Sequence, residues 1–241
     1  MRILVLGHKG MLGHMVCKYF SKRTSFEIVT INSRWSSEEF VRSVLSFDGK
    51  YIINCIGAIH QKKTNFEINV DLPIWLDKNC YDCQIIHSGT DFEMDNTNYG
   101  ISKKKAAEYI KNYGKHTKMI KTSILGPELN SKSSVFEWFM NSKDEVFGWT
   151  ENYWNGITTL QWSMISYDMI TNWNDYSITN IPATKCISKY ELLNIIKKVF
   201  GKEIIINKNS DVVVNRCLNG TVDVSDIEKQ LIELKEFYYD N

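Results

Sequence analysis

The 241-residue sequence predicts an α/β protein: a Rossmann-type, doubly wound parallel sheet with a small C-terminal α/β lobe. Three observations carry this. Short β-rich runs alternate with amphipathic segments through the first half, a glycine-rich turn follows the first run, and the alternation loosens beyond Gly126-Pro127. Strands that alternate with helices favour right-handed βαβ crossovers, and hence a parallel sheet covered on both faces.

Along the chain, Ile3 to Leu6, Glu27 to Ile31, Tyr51 to Ile56, Gln84 to His87 and Lys118 to Lys121 are the strand candidates, with helices between them. Ser36 with Glu39, Ser188 with Glu191 and Ser225 with Glu228 have capping-box spacing, which predicts a helix start at each. Beyond Pro127 comes an aromatic stretch holding Phe136, Trp138, Phe139, Phe147, Trp149, Tyr153 and Trp154. A helical pattern over 157–171 follows, then a helix from Lys189 to Phe200, a strand from Glu203 to Ile206 and a final helix from Asp226. The expected division is a nucleotide-binding domain over 1–125 and a lobe made mainly of 126–241, with the 157–171 helix returning to the first domain.

Composition narrows the class. With 43% hydrophobic and 24% charged residues the chain can bury a substantial core. Twenty-nine basic residues against 28 acidic ones, with no long single-sign run, argue against a nucleic-acid partner. No apolar stretch is long enough to span a bilayer, and the strand-like run from Arg2 leaves no room for a leader's charged region, so a cytoplasmic protein is expected. Six cysteines, at 17, 55, 80, 83, 186 and 217, are too sparse for a disulfide framework. Cys80-Tyr81-Asp82-Cys83 spells C-x-x-C, but it closes a helix pattern and enters a strand, and it lacks two further ligands; no metal is expected.

Two segments carry chemistry. In Gly7-His8-Lys9-Gly10-Met11-Leu12-Gly13 the glycines permit a tight turn and close backbone approach, and the helix that follows presents free amides and a partial positive charge to a pyrophosphate. The second strand ends in Asn32-Ser33-Arg34, with no carboxylate to bind an adenosine ribose. Arg34 paired with a 2′-phosphate, with Ser33 donating to it, favours NADP(H) over NAD(H); the alternative for Arg34 is an exposed residue before a helix cap. In Tyr99-Gly100-Ile101-Ser102-Lys103 a phenol and an ammonium stand at i and i+4, on one helix face. A nearby positive charge stabilises a phenolate, so the pair suits protonation of a ketone oxygen.

Together these residues resemble the extended short-chain dehydrogenase/reductase family, and within it the dTDP-4-dehydrorhamnose reductase group. The resemblance rests on the Gly7/Gly10/Gly13 turn, Asn54-Cys55-Ile56-Gly57-Ala58, Ile68-Asn69-Val70, His87-Ser88-Gly89-Thr90-Asp91 and Tyr99 with Lys103. Asn215-Arg216-Cys217-Leu218 looks like that group's substrate-lobe motif, which usually has an acidic residue first and a serine third. The resemblance implies NADPH-dependent reduction of the C4 ketone of a nucleotide-linked 4-keto-6-deoxy sugar, dTDP- or UDP-linked, in deoxysugar supply for surface glycans. It makes Tyr99 the proton donor, Thr90 the hydroxyl on the substrate carbonyl with Ser88 in reserve, and Lys103 the ligand of the nicotinamide ribose that lowers the tyrosine pKa. It lines the cofactor with Lys9, Met11, Leu12, Cys55, Ile56, Gly57 and Ala58, and gives Asn69 a water in a proton relay. Trp149, Trp154, Asn155 and Arg216 are the candidates for embracing sugar and diphosphate, an aromatic face stacking and Arg216 forking onto phosphate. The other reading of the aromatic stretch is core or a homodimer surface.

The pattern also departs from the group. Only eight residues separate Thr90 from Tyr99, and Ser36 to Leu45 passes almost directly into the strand at Tyr51. Two further functions therefore stay open: a sugar-nucleotide epimerase or epimerase/reductase, using Cys55, His60 or His87 as additional acid/base groups, and a catalytically silent NADP-binding regulatory subunit.

Overall fold

A computed structural model describes residues 1–59, 65–130 and 132–240. It contains two compact units, Met1–Lys121 with Ser163–Asn180, and Thr122–Trp162 with Ile181–Asn241.

The first unit is built on β1 (Arg2–Leu6), α1 (Met11–Arg23), β2 (Glu27–Thr30), α2 (Glu38–Leu45), β3 (Tyr51–Asn54), α3 (Ile68–Asn79), β4 (Gln84–Gly89), α4 (Asn98–Tyr113) and β5 (Thr117–Lys121). These five strands and Thr179–Asn180 form one six-stranded sheet, ordered from the Thr179–Asn180 edge as β5, β4, β3, β1, β2, with every pairing parallel. The strands read as near-continuous apolar runs because helices cover both faces: Ile3, Leu4, Val5, Leu6, Ile52 and Ile53 are fully buried. Each such side chain contributes about 1.5–3 kcal/mol of transfer free energy.

Cys80 and Cys83 belong to one core cluster with Leu4, Phe40, Leu72 and Ile85. Burial pushes the Cys80 thiol up to about 12 and raises that of Cys83, so the C-x-x-C is apolar filling between α3 and β4. Among the described residues no cluster of His, Cys, Asp or Glu could hold a metal ion, and no helix is long and apolar enough to cross a membrane.

The second unit holds β6 (Ile124–Leu125), α5 (Val135–Asn141), β7 (Glu145–Trp149), β8 (Asn152–Trp154) and β9 (Ile157–Thr158). The helix α6 (Thr159–Thr171) begins there and its residues from Ser163 on belong to the first unit, where Tyr167 meets Phe20 and Phe26 edge-on. After β10 (Thr179–Asn180) come β11 (Ile187–Ser188), α7 (Lys189–Phe200), β12 (Ile205–Asn209), β13 (Val214–Asn215) and α8 (Ile227–Tyr238). The order β11, β8, β13 makes one small sheet, and β12 pairs with β7 in another.

Several elements differ locally from expectation. Ser188 caps α7 with the full reciprocal box to Glu191, but the other two starts move by one residue. Ser36 has φ +67°, outside the extended backbone an N-cap needs, and Ser37 accepts from the Phe40 amide instead. Asp226 takes the place expected for Ser225, its carboxylate being the stronger acceptor for the Lys229 amide. The strand expected at Glu203 to Ile206 runs from Ile205 to Asn209, because parallel pairing with β7 and the Asn207–Glu145 hydrogen bond (2.8 Å) carry the polar residues into the sheet. A disulfide, Cys186–Cys217, joins the flanks of β8, with Cα atoms 5.8 Å apart; sparse cysteines gave no sign of it. Of the aromatic stretch, Phe136 and Phe139 are core, whereas Phe147 and Trp149 are exposed.

Candidate active site

The order of strands reverses between β1 and β3, and parallel sheets open a crevice for ligands at the carboxyl ends of such a pair. The glycine-rich turn stands there. Gly7 has φ +82°, and a Cβ on it would lie 3.0 Å from the Cys55 carbonyl carbon. The Gly10 amide donates to the Gly7 carbonyl (2.9 Å), and a Cβ on Gly13 would fall 2.2 Å from that same oxygen. Only glycine permits this approach of α1 to the turn. Gly10 stands extended as the N-cap of α1 and makes no side-chain cap to the first amides of the helix. Lys9 is exposed beside them, Met11 is half-buried and Leu12 is core.

At the end of β2, the Ser33 hydroxyl is buried with no hydrogen-bond partner, as is Nδ1 of His8, and Arg34 is exposed. A buried hydroxyl with no partner among the described residues, next in sequence to an exposed arginine, fits an anionic ligand group at this point.

The loop after β3 is held by Asn69 of α3. Its Oδ1 accepts from the Ala58 amide (2.8 Å), and its Nδ2 donates to the Ala58 carbonyl (3.1 Å) and to the Ser102 hydroxyl (3.0 Å). Ser102 in turn donates to the Tyr99 carbonyl (2.7 Å). Asn69, expected to hold a relay water, is thus a brace between the Gly57-Ala58 loop and α4. Gly57 lies beside it, where a Cβ would approach Asn69 Oδ1 to 3.2 Å and Lys103 Nζ to 3.8 Å.

Thr90, Tyr99 and Lys103 come together at the carboxyl end of β4. Thr90 is buried, donates to Asp91 Oδ1 (3.1 Å) and caps a single 3-10 turn over Asp91–Met94. The Thr90 and Tyr99 side chains hydrogen-bond to one another, while Phe66 and Phe92 meet the tyrosine ring edge-on at 6.0 and 5.5 Å. Lys103, 6% exposed, donates to the Ser88 carbonyl (2.8 Å). Burial brings its pKa down to about 8, opposed by the charge of Glu93. Burial likewise raises the Tyr99 phenol, with Asp91 and Glu93 adding to the rise and the Thr90 hydrogen bond opposing it. Lys103 was expected to lower the tyrosine pKa; in the fold, burial and two carboxylates raise it.

The remaining candidates separate by environment. Ser88 donates to the Asn54 carbonyl (3.3 Å), its hydroxyl turned to β3. His87 is fully enclosed against Asn54 (3.1 Å), its pKa held well below the ordinary value by burial and by Lys103. The Cys55 thiol is pushed well up by burial. His87 thus lacks the environment of an exposed acid/base group, while Cys55 is half-buried with a thiol that is a reluctant acid. His60 lies outside the described residues.

In the second unit, Asn155 spends both ends of its amide on the Leu218 backbone, donating to the carbonyl (2.8 Å) and accepting from the amide (2.9 Å). The Arg216 amide donates to the Tyr153 carbonyl (3.2 Å), and the disulfide of Cys217 anchors the same segment. Trp154 is 3% exposed, with the Lys189 ammonium 5.0 Å over its ring, which corrects the expectation of an open stacking face; Trp149 is 41% exposed. The sequence reading missed Glu93 and Lys121, a buried carboxylate with a half-buried lysine as its ion-pair partner (2.7 Å), because nothing in Asp91-Phe92-Glu93-Met94 marks which acid turns inward.

Solved structures with this architecture include a dTDP-4-dehydrorhamnose reductase from Clostridium acetobutylicum, with 18% identity and TM-score 0.75 over 98% of this chain and 99% of that one. A dTDP-4-dehydrorhamnose reductase from Bacillus anthracis, solved in complex with NADP, matches with 12% identity and TM-score 0.73 over 100% and 99%. A UDP-N-acetylglucosamine 4-epimerase from Bacillus cereus matches with 14% identity and TM-score 0.74 over 97% and 98%. No protein-family model matches the chain, and no curated protein matches its sequence. The chain has the fold of these sugar-nucleotide enzymes.

Proposed function

We propose that this chain, which shares the fold of sugar-nucleotide reductases and epimerases, reduces the C4 ketone of a nucleotide-linked 4-keto-6-deoxy sugar with NADPH. The observation that carries the reading is the Thr90–Tyr99 hydroxyl pair one helical turn from a buried Lys103, at the carboxyl end of a parallel sheet with a glycine turn at its switch point.

When bound, the nicotinamide supplies the hydride. The chain's own residues do the rest. Gly7, Gly10 and Gly13, with Lys9, Met11 and Leu12, hold the pyrophosphate at the start of α1. Ser33 and Arg34 take the 2′-phosphate, and Cys55, Ile56, Gly57 and Ala58 line the cofactor, fixed by the Asn69 brace. Lys103 binds the nicotinamide ribose. A phenol whose pKa is raised stays protonated throughout the neutral range, so Tyr99 is a loaded proton donor. It gives its proton to the ketone oxygen as charge develops there, while Thr90 orients that oxygen and the buried ammonium of Lys103 stabilises the phenolate left behind. Ser88 holds the Lys103 ammonium through its carbonyl and turns its hydroxyl to Asn54, which leaves Thr90 as the hydroxyl on the substrate. Within the second unit, Arg216 is the candidate for a diphosphate, on a segment shaped by Asn155 and the disulfide.

The enclosed state of His87 supports reduction over epimerisation, which needs acid/base groups able to meet carbons beside the ketone. The test follows NADPH absorbance with purified protein and a panel of dTDP- and UDP-4-keto-6-deoxy sugars, with NADH as comparison. Oxidation that depends on one sugar supports the reading. Tight NADPH binding without oxidation across the panel refutes it in favour of a regulatory or epimerase role.

A further inference from the structure

Within the first unit, Glu93 sits on the 3-10 turn that follows Thr90. Its carboxylate is buried: Oε2 pairs with Lys121 Nζ of β5 at 2.7 Å, and Oε1 meets no hydrogen-bond donor. The turn packs directly on α4. A Cβ on Gly100 would fall 2.4 Å from the carbonyl oxygens of both Phe92 and Asp95, so only glycine lets turn and helix approach this closely. That approach brings Glu93 against the helix that carries Tyr99 and Lys103. The Lys103 ammonium, meanwhile, is enclosed with a neutral carbonyl as its hydrogen-bond acceptor. A buried ammonium without a counter-charge is costly.

We propose that Glu93 is a positioning residue of this site: clamped by Lys121, it is the buried counter-charge of the Lys103 ammonium and the anchor of the Thr90 turn. The inference rests on the reductase reading for its catalytic consequence only. Lys103 is faced by Glu93 from the turn, by the Cys55 thiol after β3 and by His87 of β4; Glu93 is faced by Lys121, Lys103 and the Thr90 amide; Tyr99 is faced by Asp91 and Glu93. Glu93 opposes the loss of the Lys103 proton, and it makes Tyr99 a more reluctant acid. One carboxylate therefore keeps the ammonium charged and the phenol loaded together. The charges of Glu93 and Lys121 nearly cancel at a distance, so the pair acts over a short range, on the groups that pack against it.

The test is a 13C NMR titration of cofactor-free protein carrying labelled lysine, with Lys103 assigned through Lys103→Met. In the wild type Lys103 should titrate below the ordinary lysine range, with a midpoint of about 8. Glu93→Gln should lower that midpoint by about half a pH unit or more, and Glu93→Asp should restore part of it. If Glu93→Gln does not fold, the neutral pair Glu93→Gln/Lys121→Met is read instead: it should lower the midpoint by less, because the Lys121 charge is lost with the carboxylate. A Lys103 midpoint that stays unchanged or rises overturns the proposal, including where stability alone falls. Because the titration uses neither cofactor nor sugar, failure of the reductase reading in the NADPH assay leaves its outcome intact.

Discussion

The Lys103 ammonium donates to the Ser88 carbonyl oxygen at 2.8 Å, tying the helix that carries Tyr99 to the strand that leads to Thr90. The bond fixes three groups at once. Lys103 reaches into the sheet's carboxyl end, Ser88 presents its carbonyl rather than its hydroxyl, and Thr90 follows two residues on, within hydrogen-bond reach of Tyr99. A rigid backbone contact of this kind sets the geometry that a proton donor needs before any ligand arrives.

Tyr99→Phe removes the proton and keeps the ring in its contacts with Phe66 and Phe92. NADPH affinity should be retained, and turnover of the sugar that wild type reduces should fall by about 10²–10⁴-fold. Stopped-flow absorbance beside a fluorescence titration of NADPH separates the two; unchanged turnover removes Tyr99 as the acid.

Lys103 costs the folded protein stability. Its pKa falls from 10.5 in the unfolded chain to about 8 in the fold, so between those values the unfolded state binds more protons. Stability is therefore depressed below pH 8 and recovers as pH rises from 8 to 10.5. Lys103→Met should be more stable than wild type at pH 7, by on the order of 1 kcal/mol or more, with the difference fading at high pH. Urea denaturation at both pH values reads this; a destabilised variant at pH 7 contradicts it.

Gly13→Ala places a methyl group 2.2 Å from the Gly7 carbonyl oxygen, with backbone on both sides and no room to yield. The turn must shift, at a cost of about 1–3 kcal/mol. NADPH binding should weaken at least tenfold, and thermal unfolding should show a lower midpoint.

The Cys186–Cys217 bond closes a 31-residue separation across β8. Cys186→Ser should destabilise the protein by about 3–4 kcal/mol if the loop entropy of the unfolded chain dominates. A thiol count of the denatured protein with and without reductant, followed by chemical denaturation of the variant, checks both the bond and its worth.

The parallel sheet was legible because its signals are local: apolar runs of four to six residues, buried on both faces, and a glycine turn directly after the first. The pairing of Tyr99 with Lys103 was legible for the same reason, since i and i+4 share a face in any helix. What escaped depends on contacts between distant segments. Glu93 turns inward because Gly100 admits its turn to α4 and Lys121 waits on β5. Cys186 and Cys217 meet because β11 and β13 flank one strand. The shift of one residue at Ser36 and Ser225 reflects competition between adjacent capping groups, which spacing alone does not decide. Asn155 looked like a ligand contact and is a clasp on the Leu218 backbone, a distinction visible only once both partners are placed.

The central claim is tested most directly by NADPH carrying deuterium at the transferable C4 position of its nicotinamide, incubated with the wild-type protein and the sugar nucleotide that supports oxidation, with mass and NMR analysis of the product. The account predicts one deuteron, on the sugar's C4, and no label there with Tyr99→Phe beyond its residual turnover. Exchange of solvent deuterium into the carbons beside the ketone, with no transfer from the cofactor to C4, would contradict it.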